Sequence, residues 1–254
     1  MQKTNFYKAI AFSFFVMSSL SVSCAEDQET PDLPKVPQRS EKLEDFVPDF
    51  WNIEFIRQDD LNKDGQLDTV MVLKDRDDAN FIQPKDCDDC APIDTNPRIL
   101  IVLFADGKSW RLIKQNTTFI PRVTASMDSQ DPFNGVVFGE VYAGNGIFAI
   151  RIGWFRTSLG YNVYIFRWQD NDFYLIGHDA YERHRMTGEE STSSDNFLTW
   201  RENTVRENPV EDEKSDKTTK KSVWKQLNKQ PLLKLDQIIE ANINDYLCKV
   251  DNDK

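Results

Sequence analysis

The sequence predicts a mainly β fold: a β-rich α+β domain whose antiparallel meander forms a sheet, a sandwich or a partial barrel, with one C-terminal helix. Three observations carry this. Turn signals at Asp106-Gly107, Gly144-Asn145-Gly146 and Asp170-Asn171 separate short apolar runs about ten residues apart, the rhythm of hairpins rather than of alternating strands and helices. Aromatic residues make up 12% of the chain, and flat rings pack well on pleated surfaces. Only the segment after Pro231 spaces its apolar residues, Leu235, Ile238, Ile239, Ile243, Tyr246 and Leu247, as one face of a helix does.

In chain order, residues 26–45 place Pro31, Pro34 and Pro37 among charges with little to bury, which predicts a flexible tether, and a single β-rich domain over 46–250 begins near Phe46. A strand over 51–57 leads into an acidic loop, and 69–73 is a buried strand. Residues 74–97, rich in Asp and Pro, form an irregular connection. The runs 98–104 and 110–113 pair across Asp106-Gly107. The meander continues through 136–142, 147–155, 161–168 and 173–185. Along 161–168, Tyr164, Phe166 and Trp168 share one face and Tyr161, Val163 and Ile165 the other, as in a central strand. Residues 196–205 and 222–227 form a last pair of strands around a charged loop, 206–221.

The first 25 residues have Lys3 and Lys8 ahead of an apolar run and then small residues, the order of a secretory signal peptide. The apolar run is shorter than the ~20 residues needed to span a bilayer. Ser23-Cys24-Ala25 admits cleavage after Ala25. It also resembles a lipoprotein acceptor at Cys24, although Ser21 stands where such a signal has leucine, so soluble and lipid-anchored forms both stay open, with no other membrane attachment expected. The expected location is the bacterial periplasm or envelope. The formal net charge of −11 becomes −13 once Lys3 and Lys8 leave with the leader. Such a balance excludes nucleic acid as a partner, because a phosphate backbone requires a basic face.

The segment 60–68 sets oxygen-bearing side chains at alternate positions around one glycine. Asp60, Asn62 and Asp64 offer side-chain oxygens, Gln66 its backbone carbonyl and Asp68 a further carboxylate, while Gly65 permits the turn that folds them inward. The expected cofactor is a structural Ca2+, because three converging carboxylates without a cation repel one another. The pattern DxNxDGxxD followed by an apolar strand resembles the calcium loops of FG-GAP and VCBS-type β-propeller repeats. It departs from an EF-hand at the twelfth position, where Met71 replaces a bidentate glutamate. It occurs once, so a whole propeller is not implied.

Three cysteines follow Cys24. The simplest pairing joins Cys87 with Cys90 as a structural disulfide and leaves a buried Cys248, since Asp86, Asp88 and Asp89 would blunt a redox thiolate. Glu140, Glu182, Glu189 and Glu190 are candidate acids for a hydrolase, and His178 and His184 share a strand without a recognisable nucleophile. Trp154, Arg156, Tyr164, Arg167 and Trp168 are candidates for a binding surface.

The stretches Asp131-Pro132-Phe133, Phe166-Arg167-Trp168, Leu175-Ile176-Gly177 and Asn196-Phe197-Leu198-Thr199 look like those of exported bacterial proteins and lipoproteins of unassigned function, over residues 50–235. That resemblance implies an envelope location and no activity. The leading expectation is a non-enzymatic protein that binds a protein or glycan partner. Alternatives are a periplasmic hydrolase of envelope polymers using Asp or Glu, and an immunity or inhibitor protein against a periplasmic enzyme.

Overall fold

A computed structural model describes residues 33–84, 87, 89–126, 129–209 and 218–251. The leader and Cys24 lie outside the described residues. Two antiparallel sheets share one core. The first holds β1 (Arg39–Ser40), β2 (Trp51–Asp59), β3 (Asp68–Asp75), β6 (Arg98–Asp106) and β7 (Ser109–Asn116) in the order β1-β7-β6-β3-β2. The second is a seven-stranded meander of β8 (Glu140–Gly144), β9 (Ile147–Phe155), β10 (Ser158–Gln169), β11 (Asp172–His184), β12 (Glu190–Asn196), β13 (Arg201–Pro209) and β14 (Thr218–Gln226), each strand beside its sequence neighbours. A two-residue pair, β4 (Phe81–Ile82) with β5 (Ile93–Asp94), stands apart, and α1 (Glu240–Val250) is the single α-helix among the described residues. The mainly β expectation with one terminal helix holds, and the meander is one sheet of an open two-sheet arrangement.

The hairpins turn where glycine, asparagine and aspartate accept left-handed backbone. Asn145 and Gly146 sit at φ 58° and 74°, and Asp170 and Asn171 at 48° and 59°, the conformations that match the twist of paired strands. Between the sheets, Val70, Val72, Leu100, Val102 and Phe104 meet Val141, Phe148, Ile150, Tyr164, Phe166, Phe173 and Leu175 in one buried cluster. Phe148 stacks on Phe166 with centroids 4.9 Å apart, and Phe104 meets Trp168 edge-on at 4.8 Å. Central β10 thus buries Tyr164 and Phe166, with Trp168 half-buried on the same face, while Tyr161, Val163 and Ile165 stay half-buried on the outer face.

Several boundaries differ from expectation. The tether expected over 26–45 is shortened from its C-terminal side: a compact unit begins at Pro34, Val36 is buried, and Arg39 and Ser40 pair with Arg111 and Trp110. The strand expected from Val136 begins at Glu140, because 133–139 is held in a tight turn by the Asp131 carboxylate, which accepts from Phe133 N and Asn134 N at 2.9 Å. The strand expected over 196–205 is two strands, β12 and β13, joined by a turn at Phe197–Trp200. The charged loop expected over 206–221 narrows, because Glu207 and Lys220 pair at 2.7 Å across β13 and β14; its remainder, 210–217, lies outside the described residues.

The helical pattern from Pro231 becomes helix only at Glu240. Before that, Leu233 O accepts from Leu175 N at 2.9 Å beside β11, and Leu235–Gln237 forms a single 3-10 turn. Buried Asn116 fixes this turn by donating through Nδ2 to Leu235 O and Ile238 O at 2.7 and 2.8 Å. Cys87 and Cys90 form the expected disulfide. Cys248 is exposed rather than buried, because α1 points Ile243, Tyr246 and Val250 inward and position 248 falls on the opposite side.

Ion pairs tie distant segments together. Burial opposes ionisation of Asp131, but the Arg98 guanidinium beside it holds its carboxyl below the ordinary value of 3.8. Asp172 is held low against its own burial by Lys114 at 2.7 Å and Lys234 at 3.0 Å, and Asp94 by Lys74 at 2.8 Å. A carboxyl depressed in the folded state contributes stability that is present above its unfolded pKa and lost as pH falls through the folded value. Urea unfolding from pH 7 downward is therefore expected to show little change to about pH 5 and a decline below about pH 4. Asp172→Asn is expected to flatten that decline.

Candidate functional site

Three places gather the residues that carry chemistry: the 60–68 loop, a cleft between the large sheet and α1, and a groove at the far end of the large sheet.

The 60–68 loop joins β2 to β3 and coils around its own carboxylates. Asp60 accepts from Asp64 N and Gly65 N, both at 3.0 Å, one bond to each oxygen. Asn62 Oδ1 accepts from Asp64 N at 2.9 Å, and Asp64 accepts from Gln66 N at 2.8 Å and from Asn62 Nδ2 at 3.0 Å. Gly65 at φ 86° and Lys63 at 65° supply the left-handed residues. Leu61 is buried in the inter-sheet core beneath the loop. Gln66 Oε1 accepts from Gly107 N at 3.0 Å, so its side chain is spent and its carbonyl is the atom left for an ion. Asp68 is fully buried and accepts from Leu61 N, Asn62 N and Ala105 N at 3.0, 3.2 and 3.0 Å. Burial first, and the charge of Asp64 last, push its carboxyl up despite those bonds.

The five residues expected as calcium ligands are thus brought into one loop. Among the described residues no three His, Cys, Asp or Glu side chains are gathered closely enough to hold a metal as they stand. The donor set nonetheless suits a hard cation: a carboxylate has about four acceptor sites, and backbone amides use two on Asp60 and three on Asp68. The sequence did not mark Asp59 as part of this arrangement. Its Oδ2 accepts from Gly146 N at 2.6 Å, so the loop is fastened to the β8–β9 turn of the other sheet.

The cleft has a volume of about 410 Å³. It lies between the inner faces of β9 and β10, residues of 119–124 and 129–132, and Ile243 and Asn244 of α1. Trp154, Arg156 and Tyr164, three of the five expected binding residues, line it together, with Arg122, Gln130, Asn162 and Asn244. Arg167 and Trp168 do not join them. Adjacent strand residues face opposite sides: Trp168 turns into the core against Phe173 at 5.1 Å, and Arg167 turns out to Gln169. The Trp154 indole lies over Gly160, where a Cβ would stand 2.6 Å from the ring. Behind the cleft, buried His178 sits between Asn162 Oδ1 at 3.1 Å and Asp195 Oδ2 at 3.3 Å. That use is structural, since both ring nitrogens have partners.

The groove, about 330 Å³, is lined by Glu182, Glu189 and Glu190 with His184, Ser191 and Arg206. Three of the four candidate acids therefore meet there. Glu140 stands apart on β8, between Arg57 at 3.7 Å and Arg151 at 3.3 Å. None of the three groove acids is buried, and Glu190 pairs with Arg183 at 3.5 Å.

No family model, curated protein or solved structure matches the chain. The functional reading therefore rests on the chemistry of these sites.

Proposed function

We propose that the protein is a non-enzymatic binding protein of the bacterial envelope, that the cleft beside β9 and β10 receives a glycan, and that the 60–68 loop is a structural calcium site. The observation that carries the reading is the lining of the cleft. An aromatic platform, two arginines and several amides converge there, with no carboxylate among the described lining residues to act as acid or base. Export is supported by the leader and by the likeness of 50–235 to envelope proteins. A mature N-terminus beginning at Glu26 in mass spectrometry would exclude acylation at Cys24.

The binding reading is tested by co-sedimentation with cell-wall glycan and analysis of the supernatant. Retention that is lost in Trp154→Ala, with no new reducing ends released, is the expected result. A second reading, hydrolysis, draws on the three glutamates that share the groove. They are poorly set for it, because a general acid needs a carboxyl kept from water and these are solvated. New reducing ends that disappear in Glu182→Gln and Glu189→Gln would establish hydrolysis and overturn the binding reading.

Bound calcium would be held by Asp60, Asn62, Asp64, the Gln66 carbonyl and Asp68, and would neutralise charge that Asp64 and Asp68 otherwise set against each other. It would supply stiffness, not catalysis. At calcium tenfold above its Kd, the expected stabilisation is about 1.4 kcal/mol, a rise in Tm of about 3–5 °C over chelator. Asp64→Ala is expected to abolish the difference, and equal melting of the wild type in calcium and chelator would contradict the assignment.

A further inference from the structure

The cleft differs in sign from the rest of the molecule. The chain carries 42 acidic residues against 31 basic ones, yet the described lining of the cleft holds Arg122 and Arg156 and no acid. Neither charge is paired with a carboxylate among the described residues. Arg122 donates to neutral acceptors, Thr95 O at 2.7 Å and Asn80 Oδ1 at 2.9 Å. Arg156 is exposed, and its guanidinium has no ion-pair partner among the described residues. By contrast, Arg39, Arg57, Arg98, Arg151 and Arg183 each face a carboxylate.

The uncharged donors point the same way. Asn162 Oδ1 accepts from His178 Nε2, which leaves the Nδ2 donor without a partner among the described residues. Ser129 Oγ accepts from Thr124 N at 2.8 Å, which leaves its hydroxyl proton to donate. Gln130 Oε1, buried in the lining without a partner, offers an acceptor as well, so the uncharged groups suit a ligand that both donates and accepts, and two guanidiniums that face no described carboxylate add a preference for negative charge. The indole of Trp154, seated on Gly160, adds a flat apolar platform. A bare inorganic anion would leave that platform unused, whereas a sugar ring can lay its C–H face upon it.

We propose that the cleft recognises a short carboxylated sugar, a uronic acid residue or its dimer, with the carboxylate at Arg156 and the ring over Trp154. The proposal rests on the cleft being the binding site. The ligand is short because the net charge of −11 repels a long polyanion, and because 410 Å³ falls in the range of small-molecule sites, about 300–1,000 Å³.

The test is isothermal titration of the full chain with three probes: digalacturonate, neutral galactobiose and the dipeptide Glu-Glu. Digalacturonate is expected to bind tightest and to weaken as salt rises. Arg156→Gln and Trp154→Ala are each expected to weaken it about tenfold or more, and Arg201→Gln, whose guanidinium covers Trp224 on the far strands, to leave it unchanged. Arg156 is exposed, so its variant is expected to melt as the wild type does, and Arg122→Gln serves as a second probe of the charge. Equal affinity for galactobiose would overturn the carboxylate requirement while leaving a glycan cleft. Tighter binding of Glu-Glu would overturn the sugar. No binding of either sugar at millimolar concentration would overturn both this inference and the glycan reading beneath it.

Discussion

Replacing Arg98 by leucine is expected to destabilise the protein by about 3–5 kcal/mol. The Arg98 side chain is 1% exposed. It donates to both oxygens of Glu54, at 2.6 and 2.8 Å, and to both oxygens of Asp131, at 2.9 and 2.8 Å. One guanidinium therefore joins β2, β6 and the loop that enters the second sheet. Removing it leaves Glu54, 14% exposed, without a cation, and Asp131, 20% exposed, with only Lys74 at 3.4 Å. Most of the loss comes from those stranded charges rather than from the bonds themselves. The double variant Arg98→Leu with Asp131→Asn is accordingly expected to recover part of it. Urea unfolding of the three proteins measures both effects, and a loss under about 1 kcal/mol in the single variant would show that the network is dispensable.

Phe166→Ala is expected to cost about 3–5 kcal/mol, through lost burial and the cavity left behind. Phe166 is fully buried at the middle of β10, stacked on Phe148 and 5.8 Å from the Phe119 ring. Phe119 also lines the cleft, at the edge of the Tyr164 ring 5.1 Å away. The void would open behind the binding surface, so the cleft is expected to lose order along with the core. Denaturant unfolding gives the cost, and a value under about 1 kcal/mol would mean that the two sheets do not depend on this contact.

Much of the fold was legible because strands announce themselves through alternation and hairpins through their turn residues. The run 147–155 matches β9, and Asp106-Gly107 and Asp170-Asn171 turn as read. Failures came where a side chain, not a glycine, makes the turn. At 196–200 the Asn196 carboxamide accepts from Leu198 N and Thr199 N at 3.0 and 2.9 Å, and Trp200 takes φ 57°, so an apolar run that reads as strand reverses instead. The late start of α1 has a non-local cause as well. Asn116, more than a hundred residues earlier, takes the carbonyls of Leu235 and Ile238.

The sites show the same division. The loop ligands were visible as a local pattern, whereas Asp59 binding Gly146 across the sheets was not. Trp154, Arg156 and Tyr164 stood out as aromatic and basic residues on neighbouring strands. Arg122 and Gln130 sit on an irregular segment, and only packing brings them to the cleft. The shared groove of Glu182, Glu189 and Glu190 depends on a turn at Gly188, at φ 69°, folding β12 back along β11.

The central claim, that the cleft binds and the acidic groove does not act, is met most directly by an amide NMR titration of the protein with soluble cell-wall glycan fragments. The account predicts shifts concentrated at Trp154, Arg156, Asn162 and Asn244, with Glu182, Glu189 and Glu190 unmoved. Shifts centred on those three glutamates, with the cleft silent, would contradict it.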